Sequence, residues 1–374
     1  MRIGITGYPV YGGSGVVATE LGIDLAGRGH EVHFITYAPP FRMPHFVEGV
    51  FYHEVEVPAY PLFEYPPYSL ALSVAMQDVT LKHGLDILHV HYAVPHATSA
   101  LLAKQMLGDA SPKIVTTLHG TDITLVGQDP SYHTITRYSI RSSDAITAVS
   151  EYLRRETVDR FDLPEGCIDV IPNFVDLELY KRDATPCHRS TFVQSDDERL
   201  IAHVSNFRPV KRVEDVVRVF ERIAGELPAR LLLVGDGPER GRAQRVAEDL
   251  GVDDRVVFLG KQQSVVEILS CAELFLLPSE SEAFGLVALE AMACGVPVVA
   301  SRVGGIAEVV SEPDAGRLAP VGDVDAMAEA ALHFLSDDAT WARASAAARA
   351  AATRFSADVV VPRYEALYRR VLGA

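Results

Sequence analysis

Short apolar runs alternate with longer segments of helical period along most of the chain, and a wound parallel sheet is the architecture that satisfies such a rhythm. Strands are expected at 2–6, 31–36, 86–90, 113–117, 145–149 and 168–171, with helices near 15–27, 69–83, 96–107, 131–142 and 150–160. The rhythm breaks at Pro172-Asn173-Phe174-Val175-Asp176 and a polar stretch follows through Asp183 to Pro186. A second alternation then places strands at 200–204, 230–234, 255–259, 273–277 and 297–300. Its helices fall near 213–225, 239–250, 264–271, 286–293 and 323–335. The expected fold is therefore α/β, two doubly wound Rossmann-like domains facing across a cleft, at 1–172 and 173–354. The Ala-rich stretch 339–352 and the amphipathic end from Asp358 read as helices, and the last, about 355–374, can pack back on the first domain.

The balance of 34 Lys+Arg against 50 Asp+Glu gives a formal charge of −16, which excludes binding to nucleic acid or an anionic membrane through bulk charge. That charge is even, because residues 1–172 hold 11 basic and 19 acidic residues, leaving 23 and 31 for the rest. Cys167, Cys187, Cys271 and Cys294 show no CxxC spacing, which argues against a disulfide frame or zinc site and suits a reducing cytosol. The chain opens directly into the apolar Arg2–Thr6 without a charged-then-apolar leader, and no apolar run reaches the roughly 18 residues of a membrane span. A cytoplasmic protein is expected.

Ligands of doubly wound sheets bind at the carboxyl ends of the strands, so the loops after strands carry the chemistry. Gly12-Gly13-Ser14-Gly15 lets backbone approach a ligand ahead of a helix N-terminus, but its spacing is not the dinucleotide GxGxxG and no acidic residue ends the strand at 31–36. A tight turn alone is the plainer reading. His89, His91, His96 and His119 cluster near two strand ends and invite a metal. Alternation puts His89 and His91 on one face, so core or hydrogen-bonding histidines fit at least as well. His119, in the polar loop Thr116–Asp122, is the best candidate for a working histidine. Arg137 and Arg141 are spaced to share a helix face and suit a dicarboxylate, against the alternative of a solvated face.

In the second half, Asn206, Arg208, Lys211 and Arg212 crowd one loop before a helix, and Gly235-Asp236-Gly237 forms a turn after the next strand. The segment Glu282-Ala283-Phe284-Gly285-Leu286-Val287 opens a helix whose N–H groups near Gly285–Val287 can hold a diphosphate. Glu290, two turns in, can accept both ribose hydroxyls, or be a buried structural carboxylate. Glu282 is free to meet another part of the ligand.

These motifs in order, from the Asn206–Lys211 loop through Gly235 and Gly237 to Glu282 and Glu290, resemble the retaining glycosyltransferases of the GT-B fold. Within them the chain is similar to the branch that glycosylates L-malate in the first step of bacillithiol biosynthesis. That closer likeness rests on Tyr11–Val17, His33–Thr36, Tyr65–Tyr68, His89–Ala93 with Pro95-His96, Thr116–Thr124, Ser205–Val213 and Glu290–Gly295. Asn206 stands where the wider group has an arginine, as in the malate branch.

The resemblance implies transfer of N-acetylglucosamine from UDP-N-acetylglucosamine to the malate hydroxyl, with the α-configuration retained and no metal or other cofactor. His119, Lys211 and Glu282 are the implied catalytic set. The donor would be held by Gly13, Asn206, Arg208, Lys211, Gly235, Gly237, Glu282, Phe284, Gly285, Leu286, Val287 and Glu290. Glu282 would meet the sugar 3-hydroxyl region, Glu290 the ribose, and neither acts as nucleophile. Malate would meet Ser14, Tyr92, Thr117, Arg137 and Arg141, with the cleft closing over both substrates. A homodimer is compatible with the sequence. The rival readings are a related transferase with another acceptor, a UDP-sugar epimerase or hydrolase, and a UDP-sugar sensor.

Overall fold

The computed structural model describes residues 1–10, 12–58, 61–182, 187 and 189–373. Tyr11 and the 183–186 part of the polar stretch lie outside them. The chain forms two compact units, Met1–Asn173 with Asp358–Ala374, and Phe174–Ala357.

The first unit is a parallel sheet of β1 (Arg2–Thr6), β2 (Glu31–Thr36), β3 (Val50–Glu54), β4 (Ile87–His91), β5 (Lys113–Leu118), β6 (Ala145–Ala148) and β7 (Asp169–Val170). Their order is β3-β2-β1-β4-β5-β6-β7. Strand order reverses between β1 and β4, the position at which wound parallel sheets hold their ligands. Every residue of β4 is buried, His89 and His91 included. The helix Ala357–Leu372 belongs to this unit through its buried Tyr364 and Tyr368, and Tyr368 Oη lies 2.7 Å from His89 Nδ1. Glu365 on the same helix reaches His30 Nε2 at 2.9 Å.

The second unit is a parallel sheet of β8 (Arg199–Val204), β9 (Ala229–Val234), β10 (Val256–Gly260), β11 (Leu274–Leu277), β12 (Val298–Ser301) and β13 (Gly316–Ala319), ordered β10-β9-β8-β11-β12-β13. Its reversal lies between β8 and β11. The helix Val213–Glu226 buries Val213, Val216, Val217, Phe220 and Ile223 against β8 and β9 residues such as Ile201, Leu231 and Leu233. The a/d-like spacing of those apolar residues is what makes the segment a helix with one core face.

Two strands are additional to those expected. β3 is an edge strand whose Val-Phe-Tyr-His-Glu sequence is partly exposed on both faces, so it has no continuous apolar run. β13 also closes an edge and carries an exposed arginine, Arg317. The helix expected at 264–271 is a single turn, Val266–Leu269.

The expectation of no disulfide is corrected. Cys187 and Cys271 are bonded, with their Cα atoms 5.3 Å apart. Spacing rules detect pairs close in the chain, whereas this bond spans 84 residues and depends on the tertiary fold. Cys167 and Cys294 are free thiols, and burial, with Glu290 nearby, pushes Cys294 up to about 12. Among the described residues, no helix is long and apolar enough to cross a membrane.

Candidate active site

In the first unit the reversal of strand order gathers the loops after β1 and β4. The helix Gly13–Gly27 begins there with Gly12 as its N-cap, no side-chain cap and no acidic residue in its first turn. Its first N–H groups are thus left to a ligand or to water. Gly13 is exposed, and Ser14 Oγ accepts from the Tyr92 hydroxyl at 2.8 Å. Tyr92 follows β4 with φ 85°, a left-handed conformation that turns the chain sharply at the strand end. Ser14 and Tyr92, expected together from the sequence, are in contact.

Beside them, His91 Nδ1 lies 2.8 Å from His119 Nε2, and the His119 ring rests 5.2 Å from that of Tyr92. His96 Nδ1 donates to the His91 carbonyl at 2.5 Å, and His89 Nε2 lies 2.7 Å from Thr117 Oγ1. Burial drives His89 and His119 down to about 3 and His96 to about 4, so all three rings are neutral at pH 7. A neutral His119 can offer or accept a hydrogen bond but brings no positive charge. Most nitrogens of the histidine cluster are turned to one another, to Thr117, to Tyr368 and to backbone, while His91 Nε2 and His96 Nε2 are buried with no hydrogen-bond partner among the described residues.

Asp122 holds this corner together, a part that the sequence reading left unassigned. It is buried, and its Oδ1 accepts from the N–H groups of Gly120 at 3.0 Å and His119 at 3.3 Å, while Oδ2 accepts from Ala93 N–H at 3.1 Å. It thereby ties the turn after β5 to the turn after β4. Burial raises its carboxyl to about 6 against the opposing pull of those N–H donors. Its spacing two residues after Gly120 was the available signal.

Thr117 and Arg137, expected on the acceptor side, already have partners within the first unit. Thr117 is fully buried, and its hydroxyl is occupied by His89 and by Thr147 Oγ1 at 2.7 Å, so only its carbonyl, which accepts from Tyr92 N–H at 2.9 Å, faces that turn. Arg137 and Arg141 are not gathered on one partner. Arg137 Nη2 donates to the Asp162 carboxylate at 3.0 Å, and Arg141 is exposed in the last turn of the helix Pro130–Ser142, beside the start of β6.

In the second unit the donor-side residues assemble more closely. Lys211 Nζ donates to Glu282 Oε1 at 2.6 Å, and Ser279 Oγ donates to the same oxygen at 2.8 Å. One loop follows β8 and the other β11, the two strands flanking the reversal. Glu280 N–H donates to the Val210 carbonyl at 2.8 Å, which fastens the loops through backbone as well. Asn206 and Arg208 are exposed beside them, and among the described residues Arg208 has no ion-pair partner.

Glycine is required where the β9 turn crosses this loop. A Cβ on Gly235 would stand 1.8 Å from the Ser205 carbonyl oxygen, and one on Gly237 2.0 Å from that of Asn206. Gly285, at φ 92°, is the N-cap of the helix Leu286–Ala293, which again has neither a side-chain cap nor an acidic residue in its first turn. Its free N–H groups and dipole favour an anion at Gly285–Val287. Leu286 and Val287 are partly exposed, whereas the Phe284 ring is buried against Phe355 at 5.6 Å, which leaves Phe284 only its main chain to offer a ligand. Glu290 is buried and accepts from the Tyr180 hydroxyl at 2.6 Å. Tyr180 and Ser279 are partners that no motif spacing announces.

Each unit thus presents an uncapped helix N-terminus and polar side chains at its strand-order reversal, and the second adds a loop of cations. These are the marks of a GT-B glycosyltransferase, a class that takes a phosphorylated sugar donor. The model of the Glycosyltransferase Family 4 matches residues 11–179, and that of Glycosyl transferases group 1 matches 188–351. The chain is 49% identical over its full length, and over 97% of the relative, to the N-acetyl-alpha-D-glucosaminyl L-malate synthase of Bacillus anthracis. It is 29% identical, over 97% of the chain and 79% of the relative, to the D-inositol 3-phosphate glycosyltransferase of Mycobacterium bovis. The fold matches a sucrose-phosphate synthase from Thermosynechococcus elongatus with TM-score 0.80 at 24% identity, covering 100% of this chain and 99% of that one. It also matches an Anabaena protein, HepE, in complex with UDP and glucose, with TM-score 0.78 at 20% identity and coverage of 98% and 99%. The chain belongs to the N-acetyl-alpha-D-glucosaminyl L-malate synthase family of glycosyltransferases.

Proposed function

We propose that the protein transfers N-acetylglucosamine from UDP-N-acetylglucosamine to the hydroxyl of L-malate, retaining the α-configuration and requiring no divalent ion, as the first step of bacillithiol biosynthesis. The observation that carries this reading is the 49% identity, over the whole chain, to a malate synthase of that name. The donor side rests on Lys211, Arg208 and the N-terminus at Gly285–Val287, a set of fixed positive groups suited to the charge that develops on departing UDP.

The bond from the anomeric carbon to the β-phosphate oxygen breaks with its electron pair staying on UDP. The malate hydroxyl oxygen bonds to the anomeric carbon on the same face, and its proton passes to the departing phosphate oxygen. Lys211 stabilises that phosphate, and Glu282, which now accepts from Lys211 and Ser279, holds the lysine in place and offers its remaining acceptor capacity to a sugar hydroxyl. Neither Glu282 nor Glu290 forms a covalent intermediate in this scheme. Ser14, Tyr92 and the neutral His119 supply short-range hydrogen bonds to the acceptor and sugar, with Arg137 as the cation for a malate carboxylate. Asp122 positions the His119 turn.

The test is UDP release from UDP-N-acetylglucosamine in chelator, with and without L-malate. Release that depends on malate is expected. Release at the same rate without malate would instead identify a hydrolase or epimerase.

A further inference from the structure

A second polar cluster lies in the first unit, away from the turns after β1 and β4. His33 is in the middle of β2, His53 is the fourth residue of β3, and His83 ends the helix Tyr68–His83. In the parallel register Phe51 stands opposite His33 and His53 opposite Ile35, so the two strand histidines project on one face as diagonal neighbours. The last turn of the helix brings His83 onto that face. One ring nitrogen of each histidine lies within 4.8 Å of the other two. His33 Nδ1 and His53 Nε2 are 2.9 Å apart, and the His33 and His83 ring centroids are 4.4 Å apart.

Two observations point to a ligand rather than a self-contained cluster. Glu31 Oε1 lies 2.9 Å from His33 Nε2, which places the imidazole proton on Nε2 and leaves the Nδ1 lone pair aimed into the cluster. A carboxylate behind a histidine is the usual orienting partner of a metal-ligating imidazole. His83 Nε2 is buried with no hydrogen-bond partner, a costly state for a nitrogen that a ligand would relieve. Burial also favours the unprotonated form of two of the rings: His33 is lowered, and His53 falls to about 4 through burial and its histidine neighbours. Phe51 stacks on His33 at 5.0 Å and walls one side, while His53 and His83 are only partly buried and leave a way in from solvent. Arg2 and Lys82 act on the cluster from nearby, so affinity there must come from the nitrogen ligands rather than from net charge.

We propose that His33, His53 and His83 bind one divalent transition ion of the zinc class, with a solvent molecule in the fourth position, and that the ion fastens β2, β3 and the helix Tyr68–His83 together. Three imidazole nitrogens suit a borderline-soft late first-row ion over magnesium or calcium. Metal–nitrogen bonds of about 2.0–2.1 Å in a tetrahedral site set the nitrogens about 3.3 Å apart, a small opening of the present His33–His53 contact. The ion lies outside the transfer chemistry proposed above, so chelation should change stability without abolishing turnover.

The full-length protein is stripped with chelator, dialysed, and titrated with Co²⁺ and then Zn²⁺. One Co²⁺ per chain with the intense visible bands of tetrahedral coordination is expected, displaced by one Zn²⁺, together with a Tm rise of several degrees at saturating Zn²⁺. His53→Ala on the edge strand and His83→Gln should each lose the Co²⁺ bands while circular dichroism shows the fold retained. Absence of stoichiometric Co²⁺ and Zn²⁺ binding by the folded wild-type chain overturns the proposal. So do Co²⁺ bands that persist unchanged in folded variants. Should both variants misfold, the wild-type coordination spectrum decides: bands of three-nitrogen tetrahedral type support the site and octahedral bands contradict it.

Discussion

Lys211 Nζ lies 2.6 Å from Glu282 Oε1, joining the loop after β8 to the loop after β11 at the point where strand order reverses. The pair is mostly shielded from solvent, so removing one partner leaves the other charge poorly compensated. A chain of net charge −16 gives an anionic donor no global attraction, and the donor must rely on a few local cations and helix N-termini. Lys211→Ala should therefore lower kcat by about 100-fold or more, in the range seen when a preorganised charge-stabilising group is lost. Steady-state kinetics with UDP-N-acetylglucosamine checks this, and a change of only a few fold would contradict it.

Gly235→Ala should damage the same loop from behind. The added methyl would meet the Ser205 carbonyl oxygen at 1.8 Å, and φ of +120° is unsuited to a side chain. Displacement of the 205–208 backbone is expected, read as a donor KM at least about 10-fold higher, by analogy with the cost of misplacing a binding group by an ångström, and as a lower Tm in calorimetry.

Tyr92→Phe removes the hydroxyl that donates to Ser14 Oγ at 2.8 Å and leaves the ring in place. A neutral hydrogen bond of this kind contributes a net 0.5–1.5 kcal/mol or so, equivalent to roughly 2- to 12-fold. That loss should appear in kcat/KM for malate, with the donor Kd from calorimetric titration unchanged.

Asp122→Asn replaces one of two accepting oxygens with an NH₂ group. Either orientation of the amide leaves a donor facing a backbone N–H, at Ala93 or at His119 and Gly120. The buried mismatch should cost about 1–3 kcal/mol of stability. Chemical denaturation measures it, and donor binding, which rests on the second unit, should persist.

Stability should fall on mild acidification. His89, His96 and His203 are buried, with values near 3, 4 and 4 against 6.5 for an exposed imidazole. Between pH 6.5 and 4 the unfolded chain therefore binds protons that the folded chain refuses, so stability is greatest above this window and is lost as pH falls through it. Each such histidine contributes a slope of up to about 1.4 kcal/mol per pH unit. Urea midpoints measured from pH 7 to 4.5 should decline throughout, and a flat profile would contradict neutral burial of these rings.

The parallel sheets were readable because central strands such as β11 and β12 are buried on both faces and so appear as apolar runs, Leu274–Leu277 and Val298–Ala300. Edge strands β3 and β13 lack that signature, since β3 is partly exposed on both faces and β13 carries the exposed Arg317. The loops holding Lys211 and Glu282 could be named because glycines and cations cluster locally after strands. Their direct contact, across 71 residues, appears only in the fold. Thr117 shows the opposite limit: its place at a strand end suggested a ligand, but side-chain alternation along β5 aims the hydroxyl at His89 and Thr147. The histidine trio at His33, His53 and His83 has no local spacing at all, because two strands and a helix end supply one member each.

The central claim is the identity of the product. Purified protein incubated with UDP-N-acetylglucosamine and a panel of hydroxy acids, in chelator, should yield a single adduct with L-malate, with the mass of a 1:1 N-acetylglucosaminyl malate and, by NMR, a linkage through the malate hydroxyl with the small anomeric proton coupling of an α-configuration. A β-linked product, an adduct with another acid in preference to malate, or free N-acetylglucosamine alone would contradict the account.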